Sequence, residues 1–252
     1  MSNEFANWIM AILLLSLRIA PVFAFAPPFT LIRVPAVIRV LFGLGLTAWL
    51  VTSYPEQTYL LNLAEKGLVQ IASMELLLGL TIVLAFQIAF AALYTAGRTL
   101  DVQAGFGLAL LVDPTTRART PLVGTLFAYA AAAIFFAMEG PAELIAIWSA
   151  SVENIPLGVA QGPSSLLPLF SHISITFLLA FGIAAIPMLA LFLTDITIAA
   201  MSRTLPQMHV LLLGFQAKAM MLLLFLPIAF AVSSALFLQI MRTTLDIIPR
   251  LL

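Results

Sequence analysis

From Gly67 to Gly97 the chain carries a single formal charge, Glu75. A run that long and that apolar can live only in a bilayer or inside a larger assembly. Other segments repeat the pattern, and a spanning helix needs about 20 apolar residues. Asn7–Ile32 is long enough, though Arg18 and Pro21 interrupt it, and Val40–Pro55 is uncharged but short. Pro121–Met138 is uninterrupted, with an alanine run at Ala130–Ala133. Leu166–Thr194 is apolar apart from His172, with Gly182 and Pro187 as kink points, and Thr204–Met241 holds Lys218 and Pro227. The sequence predicts an all-α, polytopic membrane protein with about six long, partly kinked helices, the last two forming a hairpin.

Composition narrows the function classes. The chain is 63% hydrophobic and 9% charged, where a soluble domain carries about a quarter charged residues. The 11 basic and 11 acidic side chains cancel, so no net field points to nucleic acid. With no cysteine, disulfides, thiolate chemistry and cysteine-held metals are excluded. Ala24-Phe25-Ala26 resembles a signal-peptide cleavage site, but Glu4 replaces the expected basic n-region and Arg18 sits in the apolar run, so the first segment reads as a retained helix.

Loop charges predict a topology. Arg33 and Arg39 lie in the first connection, Arg98, Arg117 and Arg119 in the third, and Arg203 in the fifth; the second and fourth are acidic on balance. The odd-numbered connections then face the cytoplasm and the N-terminus lies outside. Arg242 and Arg250 conflict with six simple crossings. Within Arg98–Thr120, the stretch Gly105–Pro114 is too short to span and too apolar for a solvated loop, and such backbone is tolerated where protein or a pore surrounds it. Glu139–Ser165, with Pro141, Pro156 and Gly162-Pro163, reads as an ordinary external loop.

Signatures of chemistry are sparse. Gly43-Leu44-Gly45-Leu46-Thr47-Ala48 fits a loose dinucleotide pattern but lacks the strand and the ribose-binding acid, and reads better as close helix packing. His172 and His209 have no neighbouring carboxylates, so no metal site is predicted, nor any cofactor. Asp113 and Asp195 could form an intramembrane aspartyl dyad, but Asp113 lies in a Val-Asp-Pro turn. Isolated mid-helix charges say more, because each costs roughly 2.5–3.5 kcal/mol on insertion scales without a partner. Arg18 and Glu75 are therefore candidate buried partners, as are Asp195 and Lys218. The latter two stand equally far from the middle of the Arg203-Thr204-Leu205-Pro206-Gln207 turn, which sets them at one height in an antiparallel hairpin.

Four stretches, in order, resemble the FliR/SctT family, the R-type subunits of type III protein export gates. They are Arg18-Ile19-Ala20-Pro21 with Val34-Pro35 and Arg39; Glu75-Leu76-Leu77-Leu78-Gly79-Leu80; Asp101-Val102-Gln103-Ala104-Gly105-Phe106 leading to Val112-Asp113-Pro114; and Ser202-Arg203-Thr204-Leu205-Pro206-Gln207-Met208. The resemblance implies a non-enzymatic pore subunit that passes unfolded flagellar proteins across the bacterial inner membrane at the basal body. Residues 1–165 would mimic a P-type (FliP-like) partner and 166–252 a Q-type (FliQ-like) one, and the turn at Arg203, Pro206 and Gln207 would face a FlhB-like switch subunit in the cytoplasm. Gly105, Phe106, Gly107, Leu108, Leu111, Val112, Asp113 and Pro114 would form a pore plug, with leucines at 108 and 111 where family plugs often present aromatics. The wording of Val112-Asp113-Pro114 and Leu205-Pro206-Gln207 favours a flagellar over an injectisome gate. Rival readings are a small-molecule transporter, which usually shows paired repeats and a polar mid-membrane site, and an intramembrane hydrolase.

Overall fold

The computed structural model describes residues 2–59, 67–106, 121–159, 167–204 and 210–252. Among them every regular element is a helix: α1 (Ser2–Phe25), α2 (Pro27–Thr30), α3 (Ala36–Ser53), α4 (Pro55–Tyr59), α5 (Leu68–Gln103), α6 (Leu122–Ala137), α7 (Gly140–Asn154), α8 (Leu167–Thr204) and α9 (Val210–Leu251). Of these, α1, α3, α5, α8 and α9 are long and apolar enough to cross a membrane, and α6 with α7 makes a sixth crossing if the bent pair is one broken span. The chain is an all-α, multi-pass membrane protein.

Its long helices outrun a bilayer. α5, α8 and α9 contain 36, 38 and 42 residues. At 1.5 Å per residue they are about 54, 57 and 63 Å long, against a hydrocarbon core of ~30 Å. Charges expected in connections fall inside helices instead: Arg39 opens α3, Arg98 and Asp101 close α5, Arg203 closes α8, and Arg242 and Arg250 lie within α9.

The expected external loop after Glu139 is a helix, α7. Gly140 and Pro141 look like turn residues in sequence, but proline in the first helical turn forfeits only an N–H that has no intrahelical acceptor there. Leu144, Trp148, Ser151 and Val152, spaced along one helical face, are buried. The two-residue break before α7 bends the chain by 67°. Glu139 takes a left-handed conformation (φ 61°) to make the bend, an unfavourable choice for a residue with a Cβ.

The chain groups into two compact units: Met1–Ile88 with Ala132–Ile173 and Arg242–Leu252, and Ala89–Ala131 with Ser174–Met241. In the first, α1 buries Ala11, Leu14, Leu15, Ile19 and Val22. Gly43 lets α3 lie against α1, where a Cβ would sit 3.2 Å from Ala20 Cα and from the Phe23 ring, whereas Gly45 faces open space. One glycine of the Gly43/Gly45 pair therefore serves helix packing. Phe23 anchors an aromatic cluster, its ring centroid 4.8 Å from Phe29, 5.2 Å from Phe42 and 5.5 Å from Trp148. In the second unit Phe127 meets Phe230 and Phe237 edge-on at 5.5 and 5.7 Å. There α8 and α9 run as an antiparallel hairpin, with Gly214 under Ile198 and Gly182 under Leu236.

Candidate functional site

Two constellations stand out. The first, in the first unit, begins with a close approach. Gly79 meets the α1 backbone so tightly that a Cβ there would lie 2.5 Å from the carbonyl oxygen of Leu17. One turn earlier on the same face of α5 is Glu75. It therefore reaches Arg18, whose Nε donates to Oε2 at 2.7 Å and Nη2 to Oε1 at 3.0 Å. This two-pronged pairing suits a planar guanidinium. The remaining prong, Nη1, donates to Ser151 Oγ at 3.0 Å and to the carbonyls of Ser151 and Ile155 at 3.3 and 3.1 Å. Those carbonyls close α7, where a cation is favoured. Both Arg18 and Glu75 are fully buried, so one ion pair ties α1, α5 and the end of α7 together without a charge facing lipid.

The second constellation, in the second unit, is the base of the segment 107–120. Helix α5 ends in a turn closed by Gly105 N–H on the Val102 carbonyl at 3.0 Å, with Gly105 at φ 87°, a backbone conformation that glycine enters freely. On the far side of the segment α6 begins at Leu122 with no acidic residue in its own first turn. Asp101 supplies the acceptor from α5: the Val123 N–H lies 3.1 Å from each carboxylate oxygen, and the Gly124 N–H 3.5 Å from Oδ2. A buried carboxylate at a helix start satisfies otherwise orphaned amides and is favoured by the helix dipole. One turn below, Gly97 and Gly124 bring the α5 and α6 backbones into contact, leaving no space for a Cβ on either. Gln103 Nε2 reaches the Met188 carbonyl on α8 at 3.4 Å, and Phe106 meets Phe215 on α9 edge-on at 6.3 Å. The chain thus leaves α5 and re-enters at α6 through one clamped point.

The remaining site expectations have plain outcomes. Lys218 Nζ meets Asp195 Oδ1 across the α8–α9 hairpin, but the pair is not buried as expected: the side chains are 23% and 41% exposed in the single chain. Phe192 and Ile196, neighbours of Asp195 on α8, are exposed as well. Arg203 is exposed near the end of α8. Gly107, Leu108, Leu111, Val112, Asp113, Pro114, Pro206, Gln207 and His209 lie outside the described residues. His172 Nε2 lies 3.0 Å from the Ala85 carbonyl, a contact with α5 backbone. Among the described residues no group of His, Asp and Glu is arranged to hold a metal. Asp101, Gly97, Gly124 and Ser151 are the residues that spacing alone did not single out.

Residues 9–244 match the family described as bacterial export proteins, family 1. The chain belongs to this family. Three relatives carry the name flagellar biosynthetic protein FliR. That of Bacillus subtilis (strain 168) is 27% identical, over 99% of this chain and 97% of the relative. That of Pectobacterium carotovorum subsp. carotovorum is 26% identical, also over 99% and 97%. That of Escherichia coli (strain K12) is 24% identical over 85% of this chain and 82% of the relative. Family and relatives make the chain a FliR-type subunit of the flagellar export apparatus.

Proposed function

We propose that this export-family subunit lines a pore through which unfolded flagellar proteins cross the inner membrane, and that it has no catalytic activity of its own. The observation that carries this reading is the clamped base at Asp101, Gly97 and Gly124. Its two ends, held together by backbone contact and a buried carboxylate, support a reading in which the segment between them serves the pore. Gly105–Pro114 is then a plug, and Leu108 and Leu111 present apolar side chains that block ions by dewetting. Helices longer than a bilayer is thick support a subunit whose apolar surface meets other subunits as well as lipid. Met220, Leu223, Leu224, Ile228 and Val232 expose one such face on α9. The partners are P-type and Q-type gate subunits, with residues 1–165 standing in for the first and the hairpin 166–252 for the second, and a FlhB-like switch subunit near Arg203. Energy comes from elsewhere, since the sequence has no phosphate-cradling glycine loop followed by lysine. Deleting Gly105–Val112 is expected to make cells leak small ions while the complex still assembles, read with a potential-sensitive dye and by co-purification. An assembled deletion variant with an ion-tight membrane would overturn the plug.

A further inference from the structure

A cavity of about 310 Å³ opens in the first unit where α1, α2, α3 and the α6–α7 bend meet. Its size is at the lower end of the ~300–1,000 Å³ range of small-molecule sites. The walls are apolar, with Phe29, Ile38, Phe42, Phe136 and Leu144 among them, and Arg39 and Trp148 also line it. Both of these carry an unanswered donor. Arg39 directs Nη1 to the carbonyls of Phe23 and Ala24 at 3.2 and 3.1 Å, closing the end of α1. Its Nε–H is buried with no acceptor among the described residues, and so is the indole N–H of Trp148, a residue 1% exposed. Buried donors are nearly always paired, so two at one apolar cavity call for an occupant that brings acceptors on an apolar body.

We propose that this cavity binds one anionic phospholipid from the surrounding bilayer. An acyl chain suits the aromatic and aliphatic walls, while phosphodiester and ester carbonyl oxygens supply acceptors for Arg39 and Trp148. Charge sets the headgroup class. Arg39 is the charged residue of the lining, and exposed Arg33 sits between the lining residues Ile32 and Val34. Two cations disfavour a headgroup that carries its own ammonium. Arg33 precedes α3 and Arg39 lies in its first turn, at the end of the helix that the loop-charge expectation places on the cytoplasmic side, where basic pockets between membrane helices take anionic headgroups.

The test uses the full chain, extracted with the subunits that accompany it and placed in nanodiscs. Trp8→Phe and Trp49→Phe leave Trp148 as the one tryptophan of this chain, and the same complex carrying Trp148→Phe as well gives the accompanying subunits' fluorescence to subtract. Phosphatidylglycerol with brominated acyl chains should quench Trp148 fluorescence at about a tenfold lower mole fraction than brominated phosphatidylcholine, and Arg39→Gln should erase that preference, as loss of a charged hydrogen bond predicts. Equal quenching by both lipids, or a preference that survives Arg39→Gln, overturns the proposal. Quenching by neither also overturns it. If Arg39→Gln fails to assemble, native mass spectrometry of the unsubstituted complex decides: a retained phosphatidylglycerol adduct that Trp148→Phe weakens supports the site, and its absence sinks it.

Discussion

Replacing Glu75 with leucine is expected to destabilise the chain by about 3–5 kcal/mol, the usual cost of removing one partner from a buried ion pair. The variant should fail to accumulate in membranes. Arg18 is fully buried, and without Glu75 its Nε and Nη2 donors lose the carboxylate oxygens they now meet at 2.7 and 3.0 Å. Nothing apolar at position 75 offers a substitute. The Ser151 and Ile155 carbonyls satisfy only Nη1. The double change Arg18→Leu/Glu75→Leu should recover much of the loss, because it removes both charges from the interior, and the remaining deficit should track the α7 carbonyls that lose their donor. Resistance to SDS titration in mild detergent, compared across the single and double variants, reads the coupling. Equal damage in Glu75→Leu and the double variant would show that the pair does not carry the packing of α1 on α5.

Gly97→Val should be nearly as damaging and for an unrelated reason. A Cβ at Gly97 would fall inside the backbone of Gly124, so no side chain can move aside to admit it. Overpacking a core typically costs about 1–3 kcal/mol, and a clash with backbone belongs at or above the top of that range. The helices must separate, which also draws the α6 amides away from Asp101. Gly45→Ala is the matched control: it lies in a helix with nothing within 4 Å of the added Cβ, and alanine in a helix is favoured over glycine by roughly 0.5–1 kcal/mol. Thermal aggregation midpoints in detergent should therefore fall for Gly97→Val and hold or rise for Gly45→Ala. A Gly97→Val chain as stable as the parent would mean that α5 and α6 do not touch there.

How much of this was legible in the sequence depends on which force acts at each place. Among the described residues, long apolar runs located the helices that are long and apolar enough to span, because burial in lipid demands uniform apolarity over ~20 residues. Helix ends were less legible. Arg98 and Asp101 read as loop charges, yet α5 continues to Gln103 because a helix end tolerates charge where another element uses it, and Asp101 is used by α6. α7 was missed because Gly140 and Pro141 carry the same letters whether they make a turn or open a helix. The meeting of Arg18 with Glu75 could be anticipated, as each lacks another charge nearby. The third party, the end of α7, could not, since it lies 133 to 137 residues away and contributes backbone carbonyls that no residue type announces. Asp195 and Lys218 were matched by hairpin symmetry, but their exposure depends on what covers α8 and α9, which one chain's letters do not encode. The Gly97–Gly124 contact is illegible for a related reason: a glycine in a helix looks the same whether it faces open space, as Gly45 does, or another backbone.

The most direct test of a pore-lining export subunit is native mass spectrometry of the chain after gentle extraction from a flagellated cell. Helices of 36 to 42 residues with exposed apolar faces fit the proposed packing against other subunits as well as lipid. The expected result is a defined hetero-oligomer in which this chain travels with P-type and Q-type gate subunits, and in which no well-behaved monomer survives. A stable monomer that carries a small solute across liposome membranes would contradict it.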